Sequence, residues 1–171
     1  MKLFRRILVP HDFSEHATRA LRLAAELAHA HGGRLVVLHV ITPYHPATAL
    51  AEERVAWYPE PDLITSERRN LERLVSRTMR GRPAPPVACK VVIGDPFHRI
   101  ADMARGVDLV VMSTAGRTGV AHLLIGSVAE KVVRHSPVPV LTLRAAAVRE
   151  RARTRRRDRG PGTVRHAARR G

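Results

Sequence analysis

Cysteine is almost missing from this chain. Cys89 is the only one in 171 residues, so no intramolecular disulfide can form and a reducing, cytoplasmic compartment is the expected one. It stands in the apolar run VACKVVI, where a lone thiol is ordinarily packing material. Long apolar runs are missing too. No segment approaches the roughly 20 residues that cross a bilayer, so no transmembrane segment is expected. The run ILVP behind Lys2, Arg5 and Arg6 is too short for the apolar part of a signal peptide. Aromatic residues make up 4% of a chain that is 44% hydrophobic, so its core has to be built from Val, Leu, Ile and Ala. A chain of this length is one domain on size alone, and its core needs neither disulfide nor metal to hold it.

Acidic residues are scarce beside basic ones, 15 against 30, for a formal net charge of +15. The excess is unevenly placed. Residues 149–171 hold ten arginines against Glu150 and Asp158, a net +8, which leaves +7 for residues 1–148. That last stretch has too few apolar residues to offset its ordering entropy. The expected organisation is therefore a folded domain at 1–146 and an Arg-rich disordered tail at 147–171. Such a tail attracts nucleic acid or an anionic membrane nonspecifically. No aromatic interleaves its arginines, which gives no support to stacking on bases.

What the chain does contain is a regular alternation of short apolar runs and helical periodicities. Residues 3–10 (LFRRILVP), 34–41 (RLVVLHVI), 86–93 (PVACKVVI), 107–113 (VDLVVMS) and 137–143 (PVPVLTL) read as strands. Between them, residues 14–31 place Ala17, Ala20, Leu21, Ala24, Leu27 and Ala28 at helical spacing, with Gly32 and Gly33 as a stop. Further helices are expected at about 62–79, 96–104 and 127–135. Residues 42–62 hold four prolines and read as a long irregular connection. Strands that alternate with helices and are apolar throughout predict an open five-stranded parallel sheet with helices on both faces, a Rossmann-like α/β fold.

In such sheets ligands bind beyond the carboxyl ends of the strands. Three loops should meet there, after the first, third and fourth strands, with the loop after the second a further candidate. In PHDFSE, Asp12 or Ser14 is a candidate helix N-cap, and Asp12 is equally a candidate to hydrogen-bond a ribose or adenine or to hold Mg²⁺. Gly94-Asp95-Pro96 has cap and first-turn spacing that explains it without a ligand. In STAGRTGVAHLLIGSV, Gly116 and Gly119 allow tight turns or close approach of phosphate oxygens. Gly126 and Ser127 open a helix whose free N–H groups and dipole attract anions; Ser127 is alternatively just a cap. Arg117 can pair with a phosphate charge.

ILVPHDFSE, HVI, GDP and STAGRTGVAHLLIGSVAEKVVRHSPVPVLTL together resemble the universal stress protein family over residues 1–144. The ATP-binding members of that family carry a glycine, two residues, a glycine, nine residues, then Gly-Ser or Gly-Thr. Gly116, nine intervening residues and Gly126-Ser127 match the latter part, while Ser113 stands where the first glycine would be. If that position requires positive φ, serine strains it by about 1 kcal/mol or more; if it requires only room, serine fits. The resemblance implies a regulatory ATP site with Mg²⁺, in which Asp12 would contact the adenosine portion or the metal. Pro10 belongs to the same loop, Val40 or Ile41 would lie against adenine, and Ser113, Gly116, Arg117, Gly126, Ser127 and Val128 would surround ribose and phosphates. It also implies a homodimer through the last strand, residues 138–143, and a role in stress response.

Competing signatures are lacking. GxxxxGK[ST] does not occur, nor does GxGxxG after the first strand. His29 and His31, two apart, point to different sides of a helix, and with His11 and His39 they make no metal set. No nucleophile–base pair is evident, so at most slow ATP hydrolysis is expected and not a dedicated enzyme. Two alternatives stand beside the ATP reading: a nucleotide-independent protein-interaction module, and nucleic-acid association through the tail.

Overall fold

A computed structural model describes residues 4–43, 62–114 and 126–144. Along the chain run β1 (Arg6–Pro10), α1 (Glu15–His31), β2 (Arg34–Ile41), α2 (Leu63–Met79), β3 (Val87–Ile93), α3 (Pro96–Ala104), β4 (Leu109–Ser113), α4 (Ser127–His135) and β5 (Val140–Leu143). The strands form one sheet in the order β3-β2-β1-β4-β5, every neighbouring pair parallel.

Local chemistry sets the element ends. Helix α1 begins where the Ser14 hydroxyl accepts the Ala17 amide at 3.1 Å. It stops at Gly32, whose φ of 62° is left-handed, with the Gly33 amide bonded back to the Ala28 carbonyl at 2.7 Å. Helix α3 has Asp95 as its cap, accepting the His98 amide at 3.0 Å, and Pro96 in its first turn. The strand expected over residues 137–143 begins at Val140, because Pro139 has no N–H to give the ladder. Its carbonyl still accepts from Val110 at 3.0 Å.

The alternation of side chains along each strand divides the core into two layers. Ile7, Val9, Val37 and Val111 face α1 and α2, meeting Ala20, Leu21, Ala24 and Leu71. Leu8, Leu38, Val110 and Met112 face α3 and α4, meeting Ile100, Ala104, Ala129 and Val132. Alanines along α1 let that helix lie close across the middle of the sheet, and the small aliphatic residues interdigitate without aromatic filling.

Position along the sheet follows from these layers. The chain steps outward from β1 to β2 to β3 through α1 and α2 on one face. It then returns through α3 on the other face to reach β4 on the far side of β1. The direction of winding reverses between β1 and β4, so the crevice beyond their carboxyl ends is where a ligand site is expected.

Candidate functional site

A cleft of about 350 Å³ lies at that reversal point, within the size range of small-molecule sites. Its walls come from the ends of β1, β2 and β4 and the starts of α3 and α4. Pro10, Asp12, Val40, Ser113, Gly126, Ser127 and Val128 all line it. Ile41 does not. Alternation sends Val40 toward the α3/α4 layer, whereas Ile41 lines the groove between the start of α1 and α2. Gly116 and Arg117 lie outside the described residues.

The β1–α1 turn is built by hydrogen bonds of its own side chains. Asp12 Oδ1 accepts the Ser14 amide at 3.0 Å, an Asx-type turn, and Ser14, not Asp12, caps α1. The second carboxylate oxygen of Asp12 has no partner among the described residues. Phe13 follows with φ of 66°, a left-handed conformation uncommon for a residue with a side chain. It is held there because the Phe13 amide donates to His11 Nδ1 at 3.0 Å.

His11 is the buried centre of this turn. Accepting at Nδ1 places its proton on Nε2, which donates to Thr18 Oγ1 at 3.3 Å; the Thr18 hydroxyl in turn donates to the Ser14 carbonyl at 3.0 Å. Burial disfavours the imidazolium and lowers the pKa from 6.5 to about 4, against the pull of the Asp12 carboxylate and with some help from His39. His39 Nδ1 donates to the His11 carbonyl at 2.8 Å, and its ring packs on Phe13 with centroids 4.6 Å apart. The histidines thus brace the loop that presents Asp12. Sequence reasoning rejected them as a metal set and read them as solvated or packed, without this bracing role; the contact between His11 and His39 spans 28 residues and leaves no local pattern.

At the opposite wall, Ser113 ends β4 in register with Leu143. It is not among the described residues with positive φ, where only Phe4 and Phe13 occur besides glycines. Serine therefore sits in extended backbone without strain. Thr114 then ties three segments together. Its amide and hydroxyl both donate to the Leu143 carbonyl, at 3.0 and 3.2 Å, while its own carbonyl accepts the Gly126 amide at 2.7 Å. A Cβ on Gly126 would stand 3.1 Å from that carbonyl oxygen, which is why glycine suits the position although its φ of −71° is ordinary.

Gly126 is the N-cap of α4 and Ser127 its first residue, and among the described residues no side chain caps the amides of the first turn. Those N–H groups and the helix dipole open on the cleft. On the third side, Pro96 lines the cleft, while the Asp95 carboxylate is engaged as a cap, its pKa lowered chiefly by the His98 amide. Gly94, at φ 145°, leaves room for the Arg99 guanidinium, which donates to the Ile93 carbonyl at 2.9 Å. Among the described residues no three His, Cys, Asp or Glu side chains gather to hold a metal.

The arrangement has relatives. The "Universal stress protein in QAH/OAS sulfhydrylase 3'region" of Thermus aquaticus is 34% identical over 147 residues, covering 83% of this chain and 100% of that one. Among solved structures, the universal stress protein UspA from Lactobacillus plantarum superposes with a TM-score of 0.66 at 24% identity, covering 83% of this chain and 99% of that one. A universal stress protein in complex with cAMP superposes at 0.58 with 21% identity, covering 84% and 99%; at these identities both likenesses speak for the fold. The profile of the universal stress protein family matches residues 3–144, and the chain belongs to that family.

Proposed function

We propose that this chain binds ATP with Mg²⁺ as a regulatory ligand in the stress response. The observation that carries the reading is the juxtaposition, across one cleft, of the Asp12 carboxylate and the uncapped amino end of α4. Amides without a side-chain partner at a helix start take anions, and Gly126 leaves the approach to them open. Val40 and the apolar wall from the α3/α4 layer suit adenine. Ser113, Ser127 and Val128, with Gly116 and Arg117 from the intervening loop, would complete the ribose and phosphate contacts.

Asp12 fits Mg²⁺, which commonly takes one or two carboxylates and completes its shell with phosphate and water oxygens. One of its oxygens fixes the turn, and the other has no partner among the described residues. The cation would neutralise phosphate charge there. The reading is of binding, not turnover: His11, the titratable ring beside Asp12, is bonded at both nitrogens within the chain. The cAMP held by a protein of this fold belongs to that protein, and the nucleotide assigned to this chain rests on its own cleft.

Calorimetric titration of Mg-ATP into the full chain, beside a Gly126→Leu variant, tests the reading. Binding by the wild type and none by the folded variant is expected, because the leucine Cβ meets the Thr114 carbonyl and its side chain covers the first-turn amides. A folded wild-type protein that takes up no Mg-ATP would make this a nucleotide-independent interaction module. The proposal further includes a cytoplasmic homodimer paired along β5, which lies at the sheet edge with Leu141 and Val133 exposed, and nonspecific nucleic-acid contact through residues 147–171.

A further inference from the structure

Helix α2 (Leu63–Met79) separates its apolar and basic residues onto two sides. Leu71, Val75 and Met79 are buried. Arg69, Arg73, Arg77 and, at the C-cap, Arg80 are exposed. At 3.6 residues per turn these four fall within about 80° of arc, on the side turned away from the buried row. The first three rise by about 6 Å per step along the axis.

Several surface arginines have carboxylate partners: Arg19 and Arg22 pair with Glu15, Arg68 with Glu72, Arg82 with Glu26, and Arg134 with Glu130. Arg5, Arg34, Arg105 and Arg144, scattered over other elements, have none among the described residues. Among the described residues no carboxylate pairs with any of the four on the stripe; Arg73 reaches only the neutral Asn70 Oδ1. Like charges one turn apart repel, so the face is a row of uncompensated cations on a rigid element.

We propose that this arginine stripe on α2 is a docking surface for the phosphate backbone of duplex nucleic acid, bound without regard to sequence. The guanidinium fork matches phosphate geometry, and a regular row of cations calls for a regular row of anions. A membrane surface fits less well: the apolar row of α2 is committed to the core, and the exposed Ile64 falls on the side opposite the stripe by helical period. A single strand would use aromatic platforms for its bases, and α2 has no aromatic residue. The four arginines do not line the cleft at the β1–β4 reversal, but they share with Asp12 and Ile41 the groove between the start of α1 and α2.

Fluorescence anisotropy of a labelled DNA duplex of scrambled sequence, titrated with the full chain across a range of salt, tests this. The stripe variant R69Q/R73Q/R77Q/R80Q is compared with the charge-matched control R19Q/R22Q/R105Q/R134Q. Each phosphate contact contributes about −0.9 to the slope of log affinity against log salt. The stripe variant is expected to lose about three and a half units of slope and about tenfold or more in low-salt affinity, with the control close to wild type. The double variants R69Q/R73Q and R77Q/R80Q should each lose about half of that slope, which keeps the test sound if the quadruple variant fails to fold. No duplex binding by the wild type overturns the proposal. So do equal losses in the stripe and control variants, unchanged binding in the stripe variant, or stripe-dependent binding to phosphatidylserine vesicles in place of duplex.

Discussion

His11 shows how a single side chain can hold a loop and set a pH limit together. In the unfolded chain an ordinary imidazole takes a proton below about pH 6.5, whereas the folded ring resists it until about 4. Between those values the unfolded state holds more protons, so stability falls as the pH drops through that window. The full extent is roughly 3 kcal/mol. Urea unfolding followed from pH 6.5 down to 4 should show a steeper loss in the wild type than in His11→Gln, which cannot titrate. The variant should already be about 1–2 kcal/mol less stable at neutral pH, since the Phe13 amide and Thr18 hydroxyl lose good partners. Parallel slopes would mean that His11 takes up a proton as readily in the fold as in the unfolded chain. None of this was legible from the sequence, because His11 meets Thr18 and His39 only once the strands are in place. Asp12 and Ser14 were legible as alternatives, since both have short oxygen acceptors; geometry gives the cap to Ser14 and the preceding turn to Asp12. Ser113 was undecidable without the backbone angle.

Elements were far more readable than residues, because each is signalled by a periodicity and by end chemistry within a few positions. Helices α3 and α4 and strand β2 run as their patterns predict: Asp95-Pro96 and Gly126-Ser127 mark starts and Gly33 closes the preceding turn. Shifts occur where a distant partner decides. Strand β4 starts at Leu109, after Asp108 has turned its carboxylate to the Arg6 amide at 2.7 Å, a contact spanning 102 residues. Removing the α3 cap tests the local side of this argument. Asp95→Ala should destabilise the fold by about 1 kcal/mol, read as a lower urea midpoint at unchanged m-value. Because the folded carboxyl titrates below its ordinary 3.8, the wild-type advantage is present above that pH and fades as acid protonates Asp95. A variant as stable as wild type would show that the cap is dispensable.

For the whole molecule, the strand order leaves β5 as an edge, four residues long and carrying the exposed Leu141. Exposed apolar edges pair with other chains unless blocked. If dimerisation runs through it, Leu141→Lys should convert a dimer into a monomer in sedimentation velocity without unfolding it; a variant that stays dimeric would place the interface elsewhere. The sheet and its two helical layers followed from alternation alone. The cleft's position followed from the parallel topology, and its detailed lining did not, since which of Val40 and Ile41 faces it depends on strand register, and Thr114 enters through its contact with Leu143, 29 residues on.

That same order has a consequence for how the molecule comes into being. β1 is the middle strand, yet its neighbour β4 is synthesised about a hundred residues after it, as the Arg6–Asp108 contact records. A nascent chain that has already closed β1, β2 and β3 still presents one bare edge of β1. It also leaves the Leu8 and Leu38 side of the sheet incompletely filled until Val110, Met112 and the residues of α4 join Ile100 and Ala104 of α3. Fragments ending before β4 should therefore aggregate, and assembly should be slow for a chain of this size, paced by distant strand pairing more than by its helices.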